Sequence, residues 1–152
     1  MSTEWDEELG RRMQEEHKVL HRLIQVLKEH IATTPGANGG QWLDALRAGY
    51  ERLHEHIRRT IEIKEKDGYL ESVLRVRPSL ARQVASIRSE NEQILRMAED
   101  LKRDLAATRP EDRLLIADAC ARILRFIAVI GQHEQRENMI VLFAFNQDLG
   151  GD

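Results

Sequence analysis

The sequence has little cysteine, little proline and few aromatic residues, and each shortage excludes a class of structure. The single cysteine, Cys120, excludes an internal disulfide and any zinc site built from cysteines. Only 5% of the residues are aromatic and no segment alternates apolar and polar residues as a half-buried strand does, so we predict an all-α protein. The three prolines, Pro35, Pro78 and Pro110, lie far apart and mark breaks between helices.

Long apolar runs are also missing, and none approaches the roughly 20 residues that a membrane span needs. The first ten residues, MSTEWDEELG, are acidic and lack a signal-peptide pattern, so we expect a cytoplasmic protein with no membrane partner. The net charge of −3 argues against a nucleic-acid partner. A chain of 152 residues with 41% hydrophobic and 32% charged residues suits a single globular domain, residues 1–152.

Apolar residues recur at steps of three and four in four segments, which predicts four long helices. The first helix runs from a cap at Ser2 or Thr3 to the break at residues 33–40. The other three run from about 41 to 67, from about 78 to 107 and from about 110 to 146. Residues 69–77 continue the second as a short extra helix. Because short connections join antiparallel neighbours, the predicted fold is an up-down-up-down antiparallel four-helix bundle.

Polar side chains interrupt these apolar faces. His17 continues the apolar spacing of the first helix, and His133 and Glu137 stand four apart on an otherwise apolar face of the last helix. Asn91 is the one polar member of the apolar series on the third long helix, where it either fixes the helix register or takes part in a site. Burial of such groups costs several kcal/mol unless they are hydrogen-bonded, paired or bound to a metal.

The two halves of the chain repeat this arrangement of polar positions. His17 lies 44 residues before position 61, and Asn91 lies 42 residues before His133. A glutamate follows four residues later in each half, at Glu65 and at Glu137. In two similar hairpins these near-equal separations put the positions at about one level, so we expect all four long helices to direct a side chain at one point.

Four segments carry a resemblance to a known family: EEHKVLHRLI, KEKDGYLESVL, SENEQIL and, most specific of all, HEQRENMIVLFAFNQDLGGD at residues 133–152. Over nearly its whole length the chain resembles the hemerythrin-like proteins, which have a histidine-histidine-glutamate cation-binding domain. The family fold is a four-helix bundle that holds two non-heme irons bridged by carboxylates. The resemblance implies metal ligands at His17 and His133 and bridging carboxylates at Glu65 and Glu137.

The chain departs from the family pattern at two expected histidines, where it has Ile61 and Asn91. The four remaining ligands offer at most about six donor atoms, fewer than two irons need. Three alternatives follow. A single iron, manganese or zinc ion binds with water or a small ligand, or the metal is lost and the two histidines pair with the two glutamates, or a rearranged centre recruits His21 or His54.

Three functions from different classes are compatible with these residues. The family resemblance favours a module that binds or senses a metal ion, with oxygen or nitric oxide as further partners, rather than an enzyme. A non-heme metal enzyme that acts on oxygen or peroxide is the second. The third is a metal-free bundle that serves as a structural or protein-interaction module, and a homodimer is compatible with all three.

Overall fold

The computed structural model describes residues 4–33, 35–36 and 38–146, and this part of the chain is helical without a strand. The helices are α1 (Glu4–Ile31), α2 (Gly39–Lys66), α3 (Tyr69–Val76), α4 (Ala81–Ala107) and α5 (Arg113–Asn146), with a 3-10 turn at Pro78–Leu80. The all-α prediction is therefore confirmed. The predicted cap at Ser2 or Thr3 and the last six residues of the family-like segment lie outside the described residues.

Helices α2, α3 and α4 each end where the sequence predicts a break. Gly68 separates α2 from α3 with φ 84°, a left-handed conformation that a Cβ atom disfavours. Arg77 is non-helical because the ring of Pro78 excludes the α conformation from the preceding residue. Thr108 is extended and ends α4 two residues before Pro110.

The helices are amphipathic and bury the predicted faces. The apolar series predicted on the third long helix is buried at Leu80 in the 3-10 turn and, on α4, at Val84, Ile87, Asn91, Ile94, Ala98, Leu101 and Leu105. The α1 face is buried at Leu9, Met13, Leu20 and Leu27 and half-buried at His17. None of the described helices combines the length and the apolar character required to cross a bilayer.

Side-chain contacts show that successive long helices run in opposite directions. As residue numbers rise along one helix, those of the contacted residues fall along the next. The pairs are Arg12 with Asp67 and His30 with Trp42 between α1 and α2, Tyr50 with Ala98 and Glu65 with Asn91 between α2 and α4, and Asp104 with Arg122 and Glu90 with His133 between α4 and α5. His21 also contacts Glu134, so the last helix returns to the first.

The hydrophobic core consists of two clusters separated along the helix axes. The larger cluster joins the C-terminal half of α1 to α2, the C-terminal half of α4 and the N-terminal half of α5, and Leu53, Ala98 and Phe126 are fully buried in it. The smaller one surrounds α3 at the other end, with Leu70 and Val73 fully buried. Between them lies a set of polar side chains.

Candidate polar site between the two hydrophobic clusters

We call the polar side chains between the two clusters the polar layer: His17, Lys64, Asn91, His133 and Glu137. One comes from each of α1, α2 and α4 and two come from α5. All except His17 are buried. Each of the four long helices thus contributes a polar side chain to this layer, but α2 contributes Lys64 and not the predicted Glu65.

Lys64 forms a buried ion pair with Glu137. Its Nζ lies 2.9 Å from Glu137 Oε1, and only 7% of the lysine side chain and 0% of the glutamate side chain are exposed. Neither Glu137 oxygen has a well-aligned hydrogen-bond donor among the described residues. The ammonium of Lys64 is therefore the positive charge that directly contacts this fully buried carboxylate.

Lys64 was not among the predicted site residues, although its position on α2 indicates burial. Lys64 lies three residues after Ile61 and seven after Ile57, which is the spacing of the buried face of α2. The predicted ligand Glu65 lies one residue further along, and one residue turns a helix by about 100°. Its side chain is 33% exposed and does not line the cavity beside the polar layer.

Glu65 instead pairs with side chains of α4. Asn91 Nδ2 donates to Glu65 Oε1 over 3.0 Å, and Arg88 Nε lies 3.5 Å from Glu65 Oε2. The bond from the amide nitrogen fixes the orientation of Asn91, so its Oδ1 faces the interior. Asn91 thus links Glu65 at the edge of the polar layer to His133 at its centre.

His133 is held between two acceptors. Its Nε2 lies 2.7 Å from Asn91 Oδ1, and its Nδ1 lies 2.6 Å from Glu90 Oε1. Burial raises the pKa of Glu90, but hydrogen bonds from Arg136 and His133 outweigh it and hold that pKa below its usual value.

His17 stands at the opposite side of the polar layer, on α1. Burial lowers its pKa, and the ammonium of Lys64 lowers it further, while the carboxylates of Glu134 and Glu137 act in the other direction. Its Nε2 is buried and has no hydrogen-bond partner in the described part of the chain. His17 thus has a free ring nitrogen beside two carboxylates and one ammonium group.

A small cavity lies beside the polar layer. Its volume is about 30 Å³, enough for about one or two water molecules, and its polar lining includes His17, Lys64, His133, Glu16 and His56. A surface groove of about 710 Å³ between α1, α3 and α5 also has His17 in its lining. His17 therefore lies between the surface groove and the cavity.

His56, on α2, is a buried histidine that lines this cavity in addition to His133. Its Nε2 lies 2.9 Å from the backbone oxygen of Glu16, and its Nδ1 lies 3.5 Å from a side-chain oxygen of the same residue. Burial lowers the pKa of His56, while the bond to Glu16 acts in the opposite direction. The positive charges of Arg59 and Lys64 also lower this pKa.

The two histidines of the rearranged-centre alternative lie elsewhere. His21 pairs with Glu134 over 2.8 Å, and its side chain is 65% exposed. His54 faces Glu99 at 3.4 Å, beside the larger hydrophobic cluster. The structure therefore gives no support to a centre that recruits either of them.

The donor arrangement does not fit the metal site that the family resemblance implies. In residues 4–33, 35–36 and 38–146, no group of three or more His, Cys, Asp or Glu side chains could hold a metal ion. Of the four predicted ligands, His133 and Glu137 lie together, with Nε2 and Oε2 3.8 Å apart. Glu65 faces Asn91, and a lysine ammonium contacts Glu137 where a cation would be expected.

Comparisons of the chain with protein-family models, with curated proteins and with solved structures gave no match. The resemblance to hemerythrin-like proteins therefore stays a prediction that depends on the quoted motifs, and the function has to be argued from the polar layer itself.

Proposed function

We propose that the chain is a hemerythrin-like, up-down-up-down four-helix bundle in which a lysine ammonium replaces the metal ion, and that it is a metal-independent structural or protein-interaction module. The observation that carries this proposal is the contact of 2.9 Å between Lys64 and Glu137, both shielded from water. The opposite directions of successive long helices, together with the contact between α1 and α5, support the bundle.

The electrostatics of the polar layer support replacement of the metal. A carboxylate buried without a positive partner is strongly destabilising, and a metal ion or a basic side chain removes that cost. The chain retains Glu137 at one expected ligand position, while two others hold Ile61 and Asn91. Lys64 gives this carboxylate a cation that is covalently attached to the protein, so folding requires no metal.

Metal analysis tests this proposal directly. The protein would be produced with iron, manganese and zinc available, and its metal content measured beside a His133→Ala variant. We expect far less than one metal per chain in both proteins, and a thermal unfolding midpoint that a chelator leaves unchanged. About one metal per chain, lost in the variant and accompanied by destabilisation on chelation, would refute the proposal.

A substitution of the lysine sharpens the test. Lys64→Ala leaves Glu137 without its cation and opens space beside His17 and His133. We expect this variant to be stabilised by added Mn²⁺ or Zn²⁺, because a ligand that binds only the folded state raises the unfolding midpoint. Lys66→Ala is the matched control, because Lys66 is exposed, and the same ions should not change its midpoint relative to wild type.

A second candidate is the cation-binding module of the family, with oxygen or nitric oxide as a further ligand. It is favoured by the unpartnered atoms of the polar layer, His17 Nε2 and both oxygens of Glu137. In this candidate Lys64 would have to withdraw and Glu65 would have to leave Asn91 before His17, His133, Glu137 and Glu65 could hold iron, manganese or zinc. The metal content of the wild-type protein distinguishes the two candidates.

A further inference from the structure

The outward face of α5 is apolar over its first half. Five residues that follow one another at steps of three and four are exposed: Leu114, Ala117, Ala121, Leu124 and Ala128. Leu114 is 84% exposed and Leu124 is 41% exposed. We call these five residues the α5 face, which extends over about 21 Å at 1.5 Å per residue.

The outward faces of the other long helices are charged at the same spacing. Exposed residues at steps of four, three and four are Arg11, Glu15, Lys18 and Arg22 on α1, Glu51, Glu55, Arg58 and Glu62 on α2, and Glu92, Arg96, Glu99 and Arg103 on α4. A helix that is apolar on both its inner and its outer face is normally buried on both. The α5 face therefore requires a partner that the other helices do not.

The α5 face is complementary to itself. A two-fold axis at Ala121 would place Leu114 of one copy opposite Ala128 of the other, and Ala117 within one residue, about 1.5 Å along the axis, of Leu124. Each large side chain would then meet a small one, and Ala121 would meet its own counterpart. Isologous interfaces require this self-complementarity, and an alternation of large and small residues allows close packing of helices.

Charges beside the α5 face favour the same antiparallel arrangement. Asp118 and Arg125 lie seven residues apart on one side of the face, with Ala121 between them. Asp118 is 57% exposed, and its Oδ2 lies 3.8 Å from Nη1 of Arg122, one turn along the same helix. Antiparallel pairing around Ala121 brings Asp118 of each copy next to Arg125 of the other, whereas parallel pairing brings like charges together.

We propose that the α5 face binds the α5 face of a second copy of this chain, antiparallel and with the two-fold axis at Ala121. This interface involves only the outer surface of α5, so it does not depend on whether the polar layer holds a metal. Failure of one proposal leaves the other intact, because metal content and molecular mass are separate measurements.

Light scattering with size-exclusion chromatography tests the dimer. We expect the wild type to have twice the chain mass of 17.6 kDa and Ala121→Glu to be a folded monomer, because two carboxylates would meet at the axis. Ala48→Glu, at an exposed position of α2, is the matched control and should remain a dimer. A monomeric wild type, or a dimer that tolerates Ala121→Glu, would overturn the proposal.

Two further variants test the direction and the axis of the contact. Asp118→Arg should weaken the dimer and Asp118→Arg with Arg125→Asp should restore it, since the swap regenerates both ion pairs. Ala121→Cys in a Cys120→Ser background should form a disulfide-linked dimer under mild oxidation, as close antiparallel helices bring the two Cα atoms within disulfide range. No restoration by the charge swap, or no crosslink, would exclude this arrangement.

Discussion

Lys64→Met should destabilise the protein far more than loss of a surface lysine does. The substitution keeps much of the side-chain volume but removes the ammonium that lies 2.9 Å from Glu137. Loss of one partner of a buried ion pair typically costs about 3–5 kcal/mol, because the other charge stays in a low-dielectric interior. We expect a loss of about that size in the free energy of unfolding.

The same reasoning predicts that combining the substitutions of Lys64 and Glu137 restores the stability that each one alone removes. Glu137→Leu alone should also cost about 3–5 kcal/mol, because it leaves the ammonium of Lys64 buried without a counter-charge. The double variant removes both charges and fills the space with apolar atoms, and such replacements are often neutral or stabilising. We expect its free energy of unfolding to lie within about 1 kcal/mol of the wild-type value.

Urea denaturation followed by circular dichroism measures the free energy of unfolding of the wild type, the two single variants and the double variant, provided that the denaturant slope stays constant. Lys66→Met, whose lysine is exposed, is the matched control and should not change the midpoint measurably. Single variants that each cost less than about 1 kcal/mol would refute the reasoning. So would a double variant that is less stable than either single one.

Three other predictions concern neighbouring features. Asn91→Leu removes the hydrogen bond of His133 Nε2, so denaturation should show a loss of about 1–3 kcal/mol, and an unchanged midpoint would contradict the assigned network. Because burial lowers the pKa of His56 despite its bond to Glu16, the folded state binds fewer protons, and stability should fall as the pH drops below about 6.5. His56→Gln should flatten that decline in thermal unfolding measured across pH, and an equally steep decline would exclude His56 as a cause. Gly68→Ala should cost about 1 kcal/mol in the same assay, since φ is 84° there, and a neutral effect would count against the left-handed turn.

The helices could be predicted because the information for them is local. The seven predicted core residues on α4 are all buried, Asn91 included, since steps of three and four put them on one side of any α-helix. The breaks between helices could be predicted from prolines and glycines for equally local reasons. The partners of Asn91 could not be predicted, because they depend on which side chains the neighbouring helices bring near.

The α2 contribution to the polar layer shows where sequence reasoning reached its limit. Lys64 and Glu65 follow Ile61 by three and four residues, and both separations are compatible with its face. The family motif favoured the glutamate, and long basic side chains are usually assigned to the surface. The choice depends on the charge of Glu137, which is 73 positions from Lys64 and which no periodicity on α2 can report.

The polar layer also explains how the helices can keep an acidic residue buried between them. At the two positions where the family resemblance implies histidines the chain has Ile61 and Asn91, and neither side chain carries a charge that could pair with Glu137. A buried carboxylate needs a counter-charge whether or not a metal can be assembled around it, and Lys64 supplies that charge from α2. Asn91 meanwhile holds His133 in place from α4. These contacts join α2, α4 and α5 at one level, so a shift of any one of these helices by one turn would leave a buried polar group unpaired. The polar layer therefore fixes the register of the helices, which the two apolar clusters alone would define less well.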